Sequence, residues 1–331
     1  MKMKKLFLLI IIFAGTALAQ YSNLGSAGAQ FLQIPIGAKP VAMGGAFIGL
    51  ADDASAFFWN PAGLAHVNNW DAHFSYHKWF DLFDISAVSV AYNLEDIGVF
   101  TVGLVSVTSE KMEITTESQP NGTGGYFDAS DNLFGVSFSR KLTDMFSVGI
   151  TAKYVYQRIW NEVADGFAFD VGTQYNLGMN NLIIAMSFSN FGPDMKFEGP
   201  DLNITYSKDQ TLPLSRLAPG SLQTDEFPLP LHFQVGIAMD LYTADFMKVR
   251  GGLDVTHPND NVERINIGTE ISVFDRIYLR GGYRINYDDD KFGFGAGTNF
   301  PLSGTLLSFD YSYSVYDLLP NVQRISVGVK F

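Results

Sequence analysis

From about residue 70 onward, apolar and polar positions alternate with a period of two. At the end of the chain Ile325, Val327, Val329 and Phe331 fall on one face, and Arg324, Ser326, Gly328 and Lys330 on the other. Ile277, Leu279, Gly281, Tyr283 and Ile285 likewise oppose Arg276, Arg280 and Arg284, and Phe167, Phe169, Val171 and Tyr175 oppose Asp170 and Gln174. That period belongs to β-strands. Fourteen such segments can be read, near 70–79, 84–93, 97–107, 132–141, 145–159, 166–176, 181–190, 230–241, 246–256, 262–273, 275–285, 291–299, 304–314 and 322–331. Their lengths suit tilted transmembrane strands of roughly 9–11 residues. The charges keep to one parity, as they must if the other face meets lipid, where a midplane charge costs about 2–4 kcal/mol. The pattern predicts an all-β fold: a 14-stranded antiparallel transmembrane β-barrel, closed because an open sheet edge cannot face lipid.

The connections sort by length. Alternate ones are tight, such as Leu94-Glu95-Asp96 and Leu142-Thr143-Asp144, whereas the segments 108–131 and 191–229 are long and rich in Gly, Pro, Asn and Asp. Short turns on one side and long loops on the other is the layout of an outer-membrane barrel, with periplasmic turns and extracellular loops. The terminal Phe331 fits the end strand that closes such a barrel. At the other end, Met1-Lys2-Met3-Lys4-Lys5, an apolar run and Ala17-Leu18-Ala19 read as a secretory signal peptide over residues 1–19. Export across the inner membrane and residence in a Gram-negative outer membrane follow. The expected organisation is a signal peptide (1–19), an N-terminal hatch (20–69) and the barrel (70–331). Residues 20–69 are too apolar for a disordered leader and too short for a core of their own, so the lumen is their expected host.

Composition narrows the function classes. The formal charge is −12, and the leader's three lysines leave 19 bases against 34 acids, a net of −15. Such a chain does not bind nucleic acid. The absence of Cys removes disulfides, thiolate zinc sites and thiol nucleophiles. Phe (28) and Tyr (15) are abundant, as the interfacial girdles of a barrel require, and Gly (32) suits crowded strands.

Within the hatch stand Ala42-Met43-Gly44-Gly45-Ala46-Phe47, Ala51-Asp52-Asp53-Ala54-Ser55-Ala56 and Trp59-Asn60-Pro61-Ala62-Gly63-Leu64. This stretch resembles the N-terminal signature of the PorV/PorQ family, within the wider FadL-like group of outer-membrane barrels. The resemblance implies a monomeric barrel whose N-terminal segment folds inward, with Asn60-Pro61-Ala62 matching the hatch tripeptide of FadL-like transporters. It implies a non-enzymatic part in type IX protein secretion in Bacteroidetes-like bacteria, with a translocon subunit and secreted cargo signal domains as partners. The alternative from the same group is a transporter of hydrophobic small molecules, which leave sideways through a kinked strand.

The hatch residues also have physical roles of their own. Gly44 and Gly45 permit close backbone approach or positive φ. Pro61 keeps Asn60 out of helix, and Asn60 can close an Asx turn. Asp52 and Asp53 are expected to cap a short helix from Ala54. Pro213, Leu214, Leu217, Pro219, Leu222 and Phe227 make the second long loop apolar for a surface segment. Either a partner or lipid touches it, or it folds over its own barrel mouth. His73 and His77 share a face but lack a third ligand, and aromatic neighbours place them near an interface girdle. No metal or cofactor is expected. Asp288-Asp289-Asp290 reads as a solvated turn. No nucleophile elbow or zincin motif is present, so no enzymatic activity is expected.

Overall fold

A computed structural model describes residues 24–207 and 217–331. Its strands are β1 (Trp70–Trp79), β2 (Phe83–Asn93), β3 (Val99–Ser109), β4 (Met112–Glu113), β5 (Tyr126–Phe127), β6 (Ala129–Lys141), β7 (Phe146–Ile159), β8 (Glu162–Asn176), β9 (Ile183–Phe191), β10 (Asn203–Ser207), β11 (Leu217–Ser221), β12 (His232–Ala244), β13 (Met247–Pro258), β14 (Arg264–Val273), β15 (Ile277–Ile285), β16 (Asp290–Leu302), β17 (Thr305–Tyr316) and β18 (Val322–Lys330). Fourteen of them close into one antiparallel barrel in the order β1-β2-β3-β6-β7-β8-β9-β12-β13-β14-β15-β16-β17-β18, with β18 returning to β1. The seam pairs Phe74 with Val327 and His77 with Arg324. Two small hairpins, β4–β5 and β10–β11, stand in the long loops. Their strands are too short, or too poor in alternation, to be read from sequence.

Alternation sets the two faces. Ile325 is 51 % exposed on the outside, whereas the adjacent Arg324 is wholly buried. Leu279, Phe167, Ile150 and Phe134 are exposed on the same outer surface, while Arg280, Asp170, Thr151 and Leu133 are buried in the bore. With an apolar outside and every strand paired, this is an outer-membrane barrel, and its short turns face the periplasm.

The bore itself is two-sided. Along β2, β3 and β6 it is lined mainly by small and apolar groups, including Ile85, Ala87, Val105 and Leu133, while β7 and β8 add the buried pair Lys153–Asp170 (2.5 Å). Along β13 to β17 it carries an ionic ladder. Glu270 receives Arg250 (2.5 Å) and Arg280 (2.6 Å), Arg280 also binds Asp310 (2.5 Å), and Arg284 pairs with Asp290. The charges of this ladder persist in a low-dielectric bore because each is paired.

Before β1 the chain forms a 3-10 turn at Gln30–Gln33, a helix at Ala38–Ala42, and 3-10 turns at Ala54–Phe58 and Pro61–His66. Met43, Phe47, Ile48, Phe57 and Leu64 are completely or almost completely buried here. The segment touches strands on every side. Ser326 of β18 accepts from Ala38 N (2.9 Å), Arg284 of β15 donates to Gly44 O (3.1 Å), Gln174 of β8 donates to Ala51 O (3.0 Å), and Ser89 of β2 donates to Ala54 O (2.7 Å). A segment bonded around the circumference occupies the lumen. Its outermost part reaches the extracellular mouth, where Gln30 (2.6 Å) and Gln33 (3.0 Å) donate to the Asp260 carboxylate.

Candidate functional site

The hatch sits on a belt of glycines. Cross-strand pairing sets Gly252, Gly268, Gly282 and Gly293 side by side on β13 to β16. On the opposite wall Gly103 faces Gly135 and Gly149 faces Gly172. A Cβ at any of them would collide with the hatch: at Gly252 with Ala46 O (2.7 Å), at Gly293 with Val41 O (2.5 Å), at Gly268 and Gly282 with the Met43–Gly44 backbone, at Gly149 with Pro61 and at Gly172 with Asn60. At Gly103 and Gly135 the collision is with the Phe57 ring. Glycine is the residue that lets two backbones approach this closely. On a strand it reads in sequence only as a weak position, so the belt is not legible there.

Carboxylates and amides of the wall complete the seat. Asp254, fully buried, accepts from Phe47 N (2.8 Å) and Ile48 N (3.1 Å). Asp71 accepts from Ala54 N (3.2 Å) and pairs with Lys330 (3.4 Å). Neither aspartate stands out in the sequence, because each looks like one more lumen charge.

The sequence-predicted hatch residues divide by role. Gly44 (φ 65°) and Gly45 (φ 81°) occupy the left-handed region. Asp53 caps the turn from Ala54 by accepting from Ser55 N (3.0 Å). Asp52 does not share that cap; it pairs with Lys39 (2.9 Å), which also reaches Asp53 (3.2 Å), and with Arg250 (3.6 Å) of the ladder. Burial, the largest single influence, raises both carboxyls, but Lys39 together with Arg250 at Asp52 and with Lys330 at Asp53 overcomes it, holding Asp52 at about 2 and Asp53 well below the usual range. Asn60 is fully buried and closes the Asx turn, accepting from Ala62 N (3.1 Å) while donating to Ile48 O (3.0 Å) and Thr173 O (3.2 Å). Pro61 opens the next turn, where its missing N–H costs nothing.

Elsewhere the placements vary. His73 and His77 face the lumen and are buried, away from the outer girdle. Asp289 is no free solvated residue: its carboxylate accepts from the Asp317, Leu318 and Leu319 amides and clamps the β17–β18 loop. In the second long loop Phe227 packs on Gly28 and Phe197, and Leu229 is buried, so this part folds inward. Leu222 and Pro219 stay exposed, and Leu217 opens β11. Pro213 and Leu214 lie outside the described residues. Phe331 is exposed at the periplasmic rim, its amide donating to Trp70 O (2.9 Å).

Above the hatch, toward the extracellular side, lies a cavity of about 600 Å³. Its floor and near wall are hatch residues, notably Phe31, Ile34, Ile36, Phe58 and Trp59. The far wall is polar, with Arg264, Arg284, His232, Lys153 and Asp131. A side pocket between Phe57, Phe58, Val105 and Leu133 leads toward β3 and β6. Below the hatch a second, polar cavity of about 410 Å³ lies among Asp52, His66, Gln174, Asp240, Arg250 and Lys330.

The model of an uncharacterised protein family, UPF0164, matches residues 16–331. The chain belongs to this family. No curated protein matches the UPF0164 chain. Among solved structures it is similar to the toluene transporter TbuX of Ralstonia pickettii, at 12 % identity and a TM-score of 0.54, over 88 % of this chain and 96 % of that one. A FadL homologue of Pseudomonas aeruginosa aligns at 13 % identity and a TM-score of 0.53, over 90 % and 98 %. The toluene transporter TodX of Pseudomonas putida aligns at 13 % identity and a TM-score of 0.52, over 88 % and 96 %. The UPF0164 barrel therefore has the FadL-like fold.

Proposed function

We propose that this UPF0164 barrel takes up small apolar or amphipathic molecules across the outer membrane and performs no chemistry on them. The observation that carries the reading is the extracellular cavity, whose apolar floor is built by the hatch that bars the way below. A volume of about 600 Å³ with an apolar floor facing a polar wall suits a small ligand with an apolar body. Two of the similar barrels are toluene transporters, which agrees with this class of cargo. With the glycine belt leaving no gap around the hatch, exit is sideways. The side pocket ends on the Phe57 ring, which packs against the β3 and β6 wall at Gly103 and Gly135. β3 pairs without a register break on both edges. The ladder is irregular instead between β8 and β9, at Asn190 (φ 64°).

The part in secretion rests on the PorV/PorQ resemblance of the hatch, and Phe227 and Leu229 turned inward leave less of the second loop for capturing cargo. The test is titration of the purified barrel in detergent with toluene and naphthalene, read by Trp59 fluorescence. Saturable quenching is expected, and Leu32→Arg, placed in the cavity wall, should abolish it. A response that rises without saturating, and is equal in both proteins, would refute the reading.

A further inference from the structure

Among the described residues Arg324 is the largest fully buried side chain, and none of them gives it a salt bridge. Its Nη1 donates to Ser314 Oγ (3.0 Å), and its guanidinium lies 5.3 Å from the centre of the Trp79 ring. Nε and Nη2 have no acceptor. These two donors form one edge of the guanidinium, the fork that grips a carboxylate or similar anion in two parallel hydrogen bonds. The Tyr316 hydroxyl gives its proton to Asp290 (3.0 Å) and turns its oxygen toward the guanidinium, and Asp290, which pairs with Arg284, adds its charge from farther off; neither meets Nε or Nη2 at hydrogen-bond geometry.

The neighbours of Arg324 repeat the pattern. Strand register places His77 of β1 directly opposite it on one side and Ser312 of β17 directly opposite on the other. Residues so paired hold their Cβ atoms about 4.5–5.5 Å apart. His77 and Ser312 are buried, face the lumen, and carry unpartnered atoms of their own, Nε2 and Oγ. Three adjacent side chains in one cross-strand row thus present four orphan polar atoms around one uncompensated charge. Elsewhere on this wall Arg250, Arg280 and Arg284 each have a carboxylate; Arg264, only half-buried, stacks on Tyr287 and leaves its own Nε without an acceptor. A buried cation without a partner is costly, and native interiors satisfy such groups.

We infer that Arg324, His77 and Ser312 form a binding site for a compact anionic group inside the barrel wall, behind Trp79 and Tyr316, which line the extracellular cavity. The Nε/Nη2 fork supplies the charge, the Ser312 hydroxyl adds a donor, and His77 adds another in the tautomer carrying its hydrogen on Nε2. The group is either a free small anion or the charged head of a molecule whose remainder lies in the cavity. The free-anion form stands whether or not the cavity carries apolar cargo.

Bromide is the probe. Crystals of the wild-type barrel soaked in bromide should show an anomalous peak at the Arg324 fork. Arg324→Gln should remove it, and Ser312→Ala should weaken binding by roughly tenfold, the loss of one hydrogen bond to a charged group. Heat-modifiable migration confirms that each variant folds. If Arg324→Gln does not fold, Ser312→Ala and displacement by acetate in the wild type decide. Equal displacement of bromide by acetate and decanoate identifies a free anion; displacement by decanoate at a concentration about tenfold lower or more identifies a head group. No peak at the fork in the wild type, or a peak unchanged by Arg324→Gln, overturns the site and leaves the cavity reading untouched.

Discussion

Replacing Gly293 by Ala tests whether the hatch is held by backbone-to-backbone fit. A Cβ at Gly293 would stand 2.5 Å from Val41 O, so the hatch must retreat by about 0.9 Å before ordinary contact begins at 3.4 Å. Val41 O also accepts from Gly44 N (3.0 Å) and from Arg284 Nη2 (3.3 Å), and the retreat strains both bonds. Overpacking of this size costs about 1–3 kcal/mol, and weakening a charged hydrogen bond adds about 1 kcal/mol. Seating of the hatch should therefore weaken by about 2–4 kcal/mol, a rise of roughly 30- to 700-fold in its undocked fraction. The barrel wall, paired strand by strand, should stay intact. Gly281→Ala is the matched control: it lies on the outer face of the neighbouring strand with nothing within 4 Å of its Cβ position. Amide hydrogen exchange over residues 38–65, together with single-channel conductance in planar bilayers, reads the effect. Faster exchange and larger conductance are expected for Gly293→Ala alone. If it behaves like wild type, or if Gly281→Ala opens the barrel equally, the close-fit argument is wrong.

Asn60→Ala removes the acceptor for Ala62 N and the donors to Ile48 O and Thr173 O, leaving buried groups unpaired. The hatch should lose about 2–4 kcal/mol and become protease-sensitive in barrels that still migrate as folded. The Lys39–Asp52–Asp53 cluster gives a pH response with a definite sign. Asp52 and Asp53 are depressed below their unperturbed 3.8, so their contribution is complete above that value and is lost as pH falls toward about 2. Lys39 is raised and releases its share only on the alkaline side of 10.5. Conductance should stay flat from about pH 8 to 5 and rise only in acid below about 4; opening near pH 6 would contradict the assignment.

The strands were legible because lipid on one side and a packed bore on the other force strict alternation, as in 277–285. The tripeptide Asn60-Pro61-Ala62 was legible because its turn chemistry is local. What escaped depends on partners distant in the chain. Asp289 looks like a solvated turn until Asp317, Leu318 and Leu319 arrive from another loop. His73 and His77 share a strand with Trp70 and Trp79, and that proximity suggested a girdle; register against β18 sets them inside. The row of Arg324, His77 and Ser312 exists only once the seam is closed, since β1 and β18 stand at opposite ends of the barrel sequence.

The glycine belt constrains the order in which this molecule can be assembled. A bore with so little clearance leaves Met43, Phe47 and Phe57 a narrow route to their seats once it has shut. Early placement of the N-terminal segment, before β1 and β18 zip together, avoids that squeeze, and the sheet then wraps around its own plug as around a mandrel.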